Sequence, residues 1–171
     1  MSKIYVLDTG GLLTTWTDGH LGEEFITTRS IIDELQNRPS IMRAETLISA
    51  GRLKEEATNA NALEIVLDAA KKIGDLQVLS ESDIEIIALA FSKKESGYDV
   101  ILVSTDLAVL NTASSLDLET HDPKGRMAHQ IKWYLKCPAC GHIEKGVSSD
   151  LECPICGTTM RRKAASRRRI S

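Results

Sequence analysis

Residues Lys3 to Gly11 read K-I-Y-V-L-D-T-G-G. Ile4, Tyr5, Val6 and Leu7 form a short apolar run rich in β-formers. Bounded by glycines, it has the pattern of a strand buried on both faces inside a parallel sheet. The run ends in Asp8, followed by Thr9-Gly10-Gly11. In open α/β sheets the ligand crevice lies at the carboxyl ends of the strands, which is where Asp8 is expected. An aspartate at a strand end is equally a turn former, so Asp8 needs company before it carries chemistry.

Working outward, strand and helix patterns alternate. Asp-Thr-Gly also matches aspartic proteases, but those are all-β and need two such segments facing each other. A phosphoryl-transferring aspartate of the haloacid-dehalogenase type wants a second acid two positions on, where Gly10 stands. A short helix is expected over Leu12–Trp16, an extended segment at Phe25 and Ile26, and a helix from Thr27 or Thr28 through Leu35 to about Asn37. Another helix is expected from Ser40 to a stop at Gly51, then a short strand over Arg52–Ala57. Asn59 or Asn61 opens the clearest amphipathic helix, with Leu63, Val66, Leu67, Ala70 and Ile73 on one face and Gly74 at its end. Ser80 caps the next, with Ile84, Ile87, Ala88 and Phe91 inward. Val100–Val103 reads as a second buried strand, Leu107–Ala113 as a helix and Leu116–Thr120 as a last strand. The expected fold is α/β: a three-layer domain around a central parallel sheet.

The chain has 171 residues, 42% of them hydrophobic and only 4% aromatic, enough for one largely aliphatic core. No apolar run reaches membrane-spanning length and the start lacks signal-peptide features, so a soluble, cytoplasmic protein without membrane contact is expected. The net charge of −3 hides an asymmetry. Residues 1–122 hold 10 Lys and Arg against 21 Asp and Glu; residues 123–171 hold 11 against 3. An acidic body with a basic end suggests a metal or catalytic centre on one part and a grip for a polyanion on the other. The composition changes near His121-Asp122-Pro123-Lys124-Gly125. The expected division is residues 1–122 as the main domain, 123–135 as linker, 136–160 as a zinc ribbon and 161–171 as a basic tail.

Four carboxylates fall where the alternating fold could gather them. Asp8 and Asp106 follow buried strands, Glu34 lies in the second helix in T-T-R-S-I-I-D-E-L, and Asp83 opens a helix in L-S-E-S-D-I-E-I-I-A-L-A. Clustered carboxylates raise each other's pKa, a cost that a bound Mg²⁺ or Mn²⁺ removes. Such an ion polarises a phosphate and lowers the pKa of bound water. Each acid also has a plainer reading. Asp83 could complete a capping box with Ser80, Glu34 could sit on a solvated helix face, and Asp106 could start a helix.

Cys137-Pro-Ala-Cys140-Gly and Cys153-Pro-Ile-Cys156-Gly contain all four cysteines. Two C-x-x-C knuckles, each followed by glycine, point four sulfurs at one tetrahedral Zn²⁺. The segment between them is too short for a core, so the metal would supply its folding energy. Two disulfides are the alternative, disfavoured in an intracellular chain. Arg126, Lys132 and Lys136 precede the cysteines, and Arg161, Arg162, Lys163, Arg167, Arg168 and Arg169 follow them. Such a tail suits phosphate binding, and Trp133 and Tyr134 are able to stack on bases or pack on the ribbon.

Residues 1–120 resemble a PIN domain, the metal-dependent ribonuclease fold with a four-acid centre. The resemblance rests on V-L-D-T-G, Glu34, S-D-I-E-I-I-A-L-A and S-T-D-L-A-V-L-N. T-T-R-S-I-I-D-E-L-Q-N-R and I-K-W-Y-L-K-C-P-A-C-G extend it over nearly the whole chain, to the NIN-one-binding endonuclease family. The resemblance implies an endoribonuclease that matures the 3′ end of small-subunit ribosomal RNA on the pre-ribosomal small subunit, leaving a 5′-phosphate and a 3′-hydroxyl. It also implies that Asp8, Glu34, Asp83 and Asp106 bind the Mg²⁺ or Mn²⁺. Thr105-Asp106-Leu107 stands where that family usually has two adjacent aspartates followed by tyrosine.

Overall fold

A computed structural model describes residues 3–144 and 151–169. Residues 1–2, at the start of the expected main domain, 145–150, inside the expected ribbon, and 170–171, at the end of the expected tail, lie outside the described residues.

Strand β1 (Lys3–Leu7) occupies the centre of a five-stranded sheet with β2 (Phe25–Thr27), β3 (Leu53–Glu55), β4 (Asp99–Val103) and β5 (Glu119–His121). The order is β3-β2-β1-β4-β5 and every pairing is parallel. The chain winds outward from β1 in one direction, crosses back, and winds out in the other. Right-handed crossovers therefore put α1 (Thr9–Leu13) and α3 (Arg38–Ser49) in one layer and α4 (Ala60–Ile73), α5 (Glu81–Glu95) and α6 (Leu107–Ser115) in the other, while the short α2 (Arg29–Asp33) packs against α5. The packing agrees: α1 touches α3, while α4, α5 and α6 touch one another and α5 rests on β1 and β4. Val6, Leu7, Phe25, Leu102 and Val103 from the strands are fully buried with Ile86 and Ile87 from α5. Burying such side chains contributes about 1.5–3 kcal/mol apiece and fixes which strand ends converge.

The helix signals act as local chemistry demands. Asn59 caps α4 by accepting the Ala62 amide, and Gly74 closes it in the left-handed region at φ 85°. Ser80 and Asp83 form a reciprocal capping box on α5. Helix α1 begins directly at Thr9, earlier than the expected Leu12, because Asp8 caps it. Helix α2 ends at Asp33, so Glu34 is its C-terminal cap rather than a residue inside it.

The basic end differs from expectation. The segment expected as linker contains most of β6 (His129–Lys136), and the segment expected as tail forms β8 (Arg161–Arg169), paired antiparallel with it. A two-residue β7 (Ile143–Glu144) borders β6 on the other side. Residues rich in arginine hold a strand here because alternate side chains find separate partners. Trp133, Leu135 and Arg162 share the face toward the main domain, where Arg162 pairs with buried Asp75 and lies 4.5 Å from the Trp133 ring centroid. Asn111 of α6 donates to the Ile131 carbonyl (2.8 Å) and accepts its amide (2.6 Å), tying β6 to the domain. The opposite face carries Lys132, Lys136, Arg161, Lys163 and Arg168, all exposed, around Tyr134. Among the described residues no helix is long and apolar enough to cross a membrane.

Candidate active site and metal centre

The four acids arrive from four separate segments at the carboxyl ends of β1 and β4. Asp8 follows β1, is only 4% exposed and accepts the Thr9 amide at 2.7 Å. Its other oxygen takes the Ser104 hydroxyl at 2.5 Å, and that same hydroxyl oxygen accepts the Asp106 amide at 2.9 Å. One buried serine thereby ties the exit of β4 to the carboxylate after β1. Asp106 caps α6, its Oδ1 accepting the Ala108 amide at 2.7 Å. Glu34 takes the Thr9 hydroxyl on one oxygen (3.0 Å) and the Ser82 hydroxyl on the other. Asp83 accepts the Ser80 amide and hydroxyl, each at 2.8 Å.

Gly10 explains why the two loops meet. A Cβ there would lie 2.2 Å from the Thr105 hydroxyl oxygen and 2.7 Å from the Thr105 amide nitrogen. Any side chain would push the Asp106 loop away from Asp8, so this glycine serves close approach rather than a turn.

Electrostatics record the clustering. Burial pushes the Asp8 carboxyl up to about 6, against the hydrogen bonds from Ser104 and Thr9, and the nearby Asp83 and Asp106 charges add to the rise. Asp83 is also raised, chiefly by burial, with Asp106 and Glu34 contributing against the Ser80 hydrogen bonds. Both plainer readings of Asp83 and Asp106 as helix-starting residues hold as well, so these carboxylates serve two ends at once. The fit to a hard divalent cation is chemical: an all-oxygen set, partly buried, whose members repel one another.

The serine and threonine hydroxyls that hold the acids, Thr9, Ser82 and Ser104, are not singled out by the sequence. Each lies one or two residues from one of the four acids, and that adjacency is the available signal.

The cysteines are arranged differently. Their four sulfurs all lie within 4.8 Å of one another, and among the described residues this is the group of three or more His, Cys, Asp or Glu that converges so tightly. All four thiols are free, and Cys137 and Cys156, like Cys140 and Cys153, bring their sulfurs to 3.5 Å. Four sulfurs at about 2.3 Å from one tetrahedral ion would be about 3.8 Å apart, close to that spacing. Each knuckle makes the same turn: the Gly141 amide donates to the Cys137 carbonyl (3.1 Å) and the Gly157 amide to the Cys153 carbonyl (2.8 Å). Both glycines adopt positive φ, 77° and 71°. Leu135 and Met160 pack beneath Cys137 and Cys153 as a core too small to stand alone. This set could hold one metal ion.

A family model described as the PIN domain of ribonuclease matches residues 5–93, a span that includes Asp8, Glu34 and Asp83. Endoribonuclease Nob1 of Pyrococcus abyssi is 35% identical over 138 residues, covering 81% of this chain and 83% of that protein. Endoribonuclease Nob1 of Archaeoglobus fulgidus is 29% identical over 157 residues, covering 91% and 88%. Ribonuclease VapC1 of Thermoplasma acidophilum is 28% identical over 163 residues, covering 95% and 79%. A PIN match over half the chain, the 35% identical relative and the cysteine cluster agree: the chain belongs to the Nob1 family of PIN-domain endoribonucleases.

Proposed function

We propose that this protein is a metal-dependent endoribonuclease that cleaves the small-subunit ribosomal RNA precursor near its mature 3′ end, on the pre-ribosomal small subunit in the cytoplasm. The observation that carries the chemistry is Asp8, buried at the end of the central strand and pushed up to about 6 beside Asp83 and Asp106. Asp8, Glu34, Asp83 and Asp106 would hold Mn²⁺ or Mg²⁺, which supplies charge to the phosphate and a water acidic enough to attack. The protein's own part is to fix the carboxylates. Ser104 and Thr9 orient Asp8, Thr9 and Ser82 orient Glu34, and Ser80 orients Asp83. Cys137, Cys140, Cys153 and Cys156 would hold Zn²⁺ as a structural ion.

A carboxylate centre has no means of reading bases, so choice of target falls to the basic end. The outer face of β6 and β8, with Lys132, Lys136, Arg161, Lys163 and Arg168, suits the phosphates of a structured RNA helix. The test is cleavage of that precursor by the purified chain with Mn²⁺, followed by mapping of the ends. One cut near the mature 3′ end is expected, with 5′-phosphate and 3′-hydroxyl products, and none with Asp8→Asn. Sharp cutting of a different RNA would overturn the ribosomal target and keep the nuclease. Binding without cleavage of any RNA would leave a silent assembly factor in its place.

A further inference from the structure

Between the start of α6 and the segment leading into β6 lies a groove of about 390 Å³. That size falls within the ~300–1,000 Å³ of small-ligand sites. Leu107, which follows Asp106 directly, lines it and is 43% exposed although apolar. Ala108, Met127 and Trp133 add apolar wall.

Apart from His129, whose exposed imidazole also lines the groove, its polar side chains divide in two. Asn111 gives its amide to Asp75 (2.5 Å) and to the Ile131 carbonyl (2.8 Å), while Arg162 pairs with Asp75 and covers Trp133. These are spent on one another, and the unpaired donor left there, Nε of Arg162, is closed off from solvent. Arg126 is different. It donates to the Thr105 carbonyl, on the loop that carries Asp106, and its side chain is 45% exposed. Its counter-ion Asp122 stands 3.6 Å off and already accepts the amides of Lys124, Arg126 and Met127. A loosely countered cation thus stands between the acids and an open apolar groove.

We propose that this groove seats one unpaired nucleotide of the RNA strand beside the scissile linkage, its base on Leu107, Ala108 and Met127 and its phosphate on Arg126. The occupant follows from charge and continuity: Leu107 and Ala108, next to Asp106, line the groove, and Arg126, bonded to the Thr105 carbonyl, offers a cation between it and the acids. Because the side chains beneath the base, Leu107, Ala108 and Met127, offer no donor or acceptor, the seat takes any base by its apolar face. The inference rests on the endoribonuclease reading and names a subsite of that same centre.

The test measures binding of the full-length Asp83→Asn protein to single-stranded RNA in which one abasic nucleotide is walked along the sequence. One position is expected where loss of the base weakens binding about tenfold, while exchange of that base for any other has little effect. Ala108→Trp, which fills the groove, should weaken binding to intact RNA and erase the difference between intact and abasic strands. Met127→Gln should shrink that difference with the thermal midpoint unchanged, separating loss of the seat from loss of the fold. No abasic-sensitive position, or sensitivity that survives Ala108→Trp, would overturn the proposal. Failure of the wild-type protein to cut any RNA would instead remove the nuclease reading, with the abasic profile still deciding whether the groove holds a nucleotide.

Discussion

The two donor clusters of this protein are built in opposite ways. The cysteines come from two copies of one local turn, separated by a short segment, and their sulfurs converge within 4.8 Å. The acids come from segments spread over about a hundred residues, and Asp83 and Asp106 are held at their own helix starts. Glu34 is held by the hydroxyls of Thr9 and Ser82 and Asp8 by that of Ser104, all from other segments; the Thr9 amide on Asp8 is the local exception. The sulfurs have almost no hydrophobic core beneath them, only Leu135 and Met160. The acids stand on a sheet whose three inner strands, β1, β2 and β4, are buried on both faces toward their carboxyl ends. With so little core, the cysteine cluster would depend on an ion for its structure, whereas the acids are held in place by the fold itself and an ion would relieve their repulsion.

The sharpest way to break this comparison is to remove a sulfur. Cys153→Ser should unfold the knuckles and loosen β6 from β8, because apparent zinc-site energies of about 10–16 kcal/mol exceed what that small core supplies. Amide exchange should show residues 3–121 still protected, and elemental analysis should find one Zn²⁺ per wild-type chain and none in the variant. Unfolding of the main domain together with the knuckles would show that the clusters are not independent.

The acids should respond to pH and cation, not to cation alone. Asp8 has its folded value raised from 3.8 to about 6, so its contribution favours folding below the unfolded value and is lost as pH rises through about 6. The shift corresponds to a penalty of about 3 kcal/mol on the metal-free fold at neutral pH. Mn²⁺ should therefore raise the thermal midpoint strongly above about pH 7 and little below about pH 5, where Asp8 holds its proton. In metal-free protein Asp8→Asn should be more stable than wild type at neutral pH and lose the Mn²⁺ effect. An equal Mn²⁺ shift at both pH values would mean that Asp8 does not hold the ion.

The basic strands can be tested without removing them. Truncation of 161–169 would take away the whole of β8 and all of its pairing with β6, so neutralisation is the cleaner experiment. Arg161→Gln with Lys163→Gln should lower RNA affinity and reduce the salt slope by about 0.9 for each phosphate left without its cation. An unchanged slope would leave those side chains as solvated charge.

What could be read from sequence follows how local the cause is. The capped helices at Asn59 and Ser80, the buried strands before Asp8 and Ser104, and the cysteine turns all carry their signal within a few residues. Strand β8 does not. R-R-K-A-A-S-R-R-R has neither alternation nor β-formers, and its pairing depends on Asp75 and Trp133 distant in the chain. Gly10 has the look of turn chemistry and proves to be clearance for Thr105, a residue far away in sequence. That the four acids would gather at the strand ends is legible, but the hydroxyls that bond them are not, since a serine beside an acid is common without such a contact.

The smallest expected effect concerns one of those hydroxyls. Ser104 is fully buried, donates to Asp8 and accepts the Asp106 amide, so it links two acids that repel each other. Ser104→Ala should cost about 1–3 kcal/mol, because a buried amide and a carboxylate both lose a partner. Its bond to Asp8 also lowers that carboxyl's pKa, so its loss should move Asp8 further upward. The pH at which half of the Mn²⁺ stabilisation appears should then move alkaline, and the acid limb of the cleavage profile should move with it. Ser104→Cys, similar in size but a weak donor, should fall between the two. A stability loss with both pH midpoints unmoved would show that Ser104 supports the fold alone, and that Asp8 keeps its geometry through Thr9.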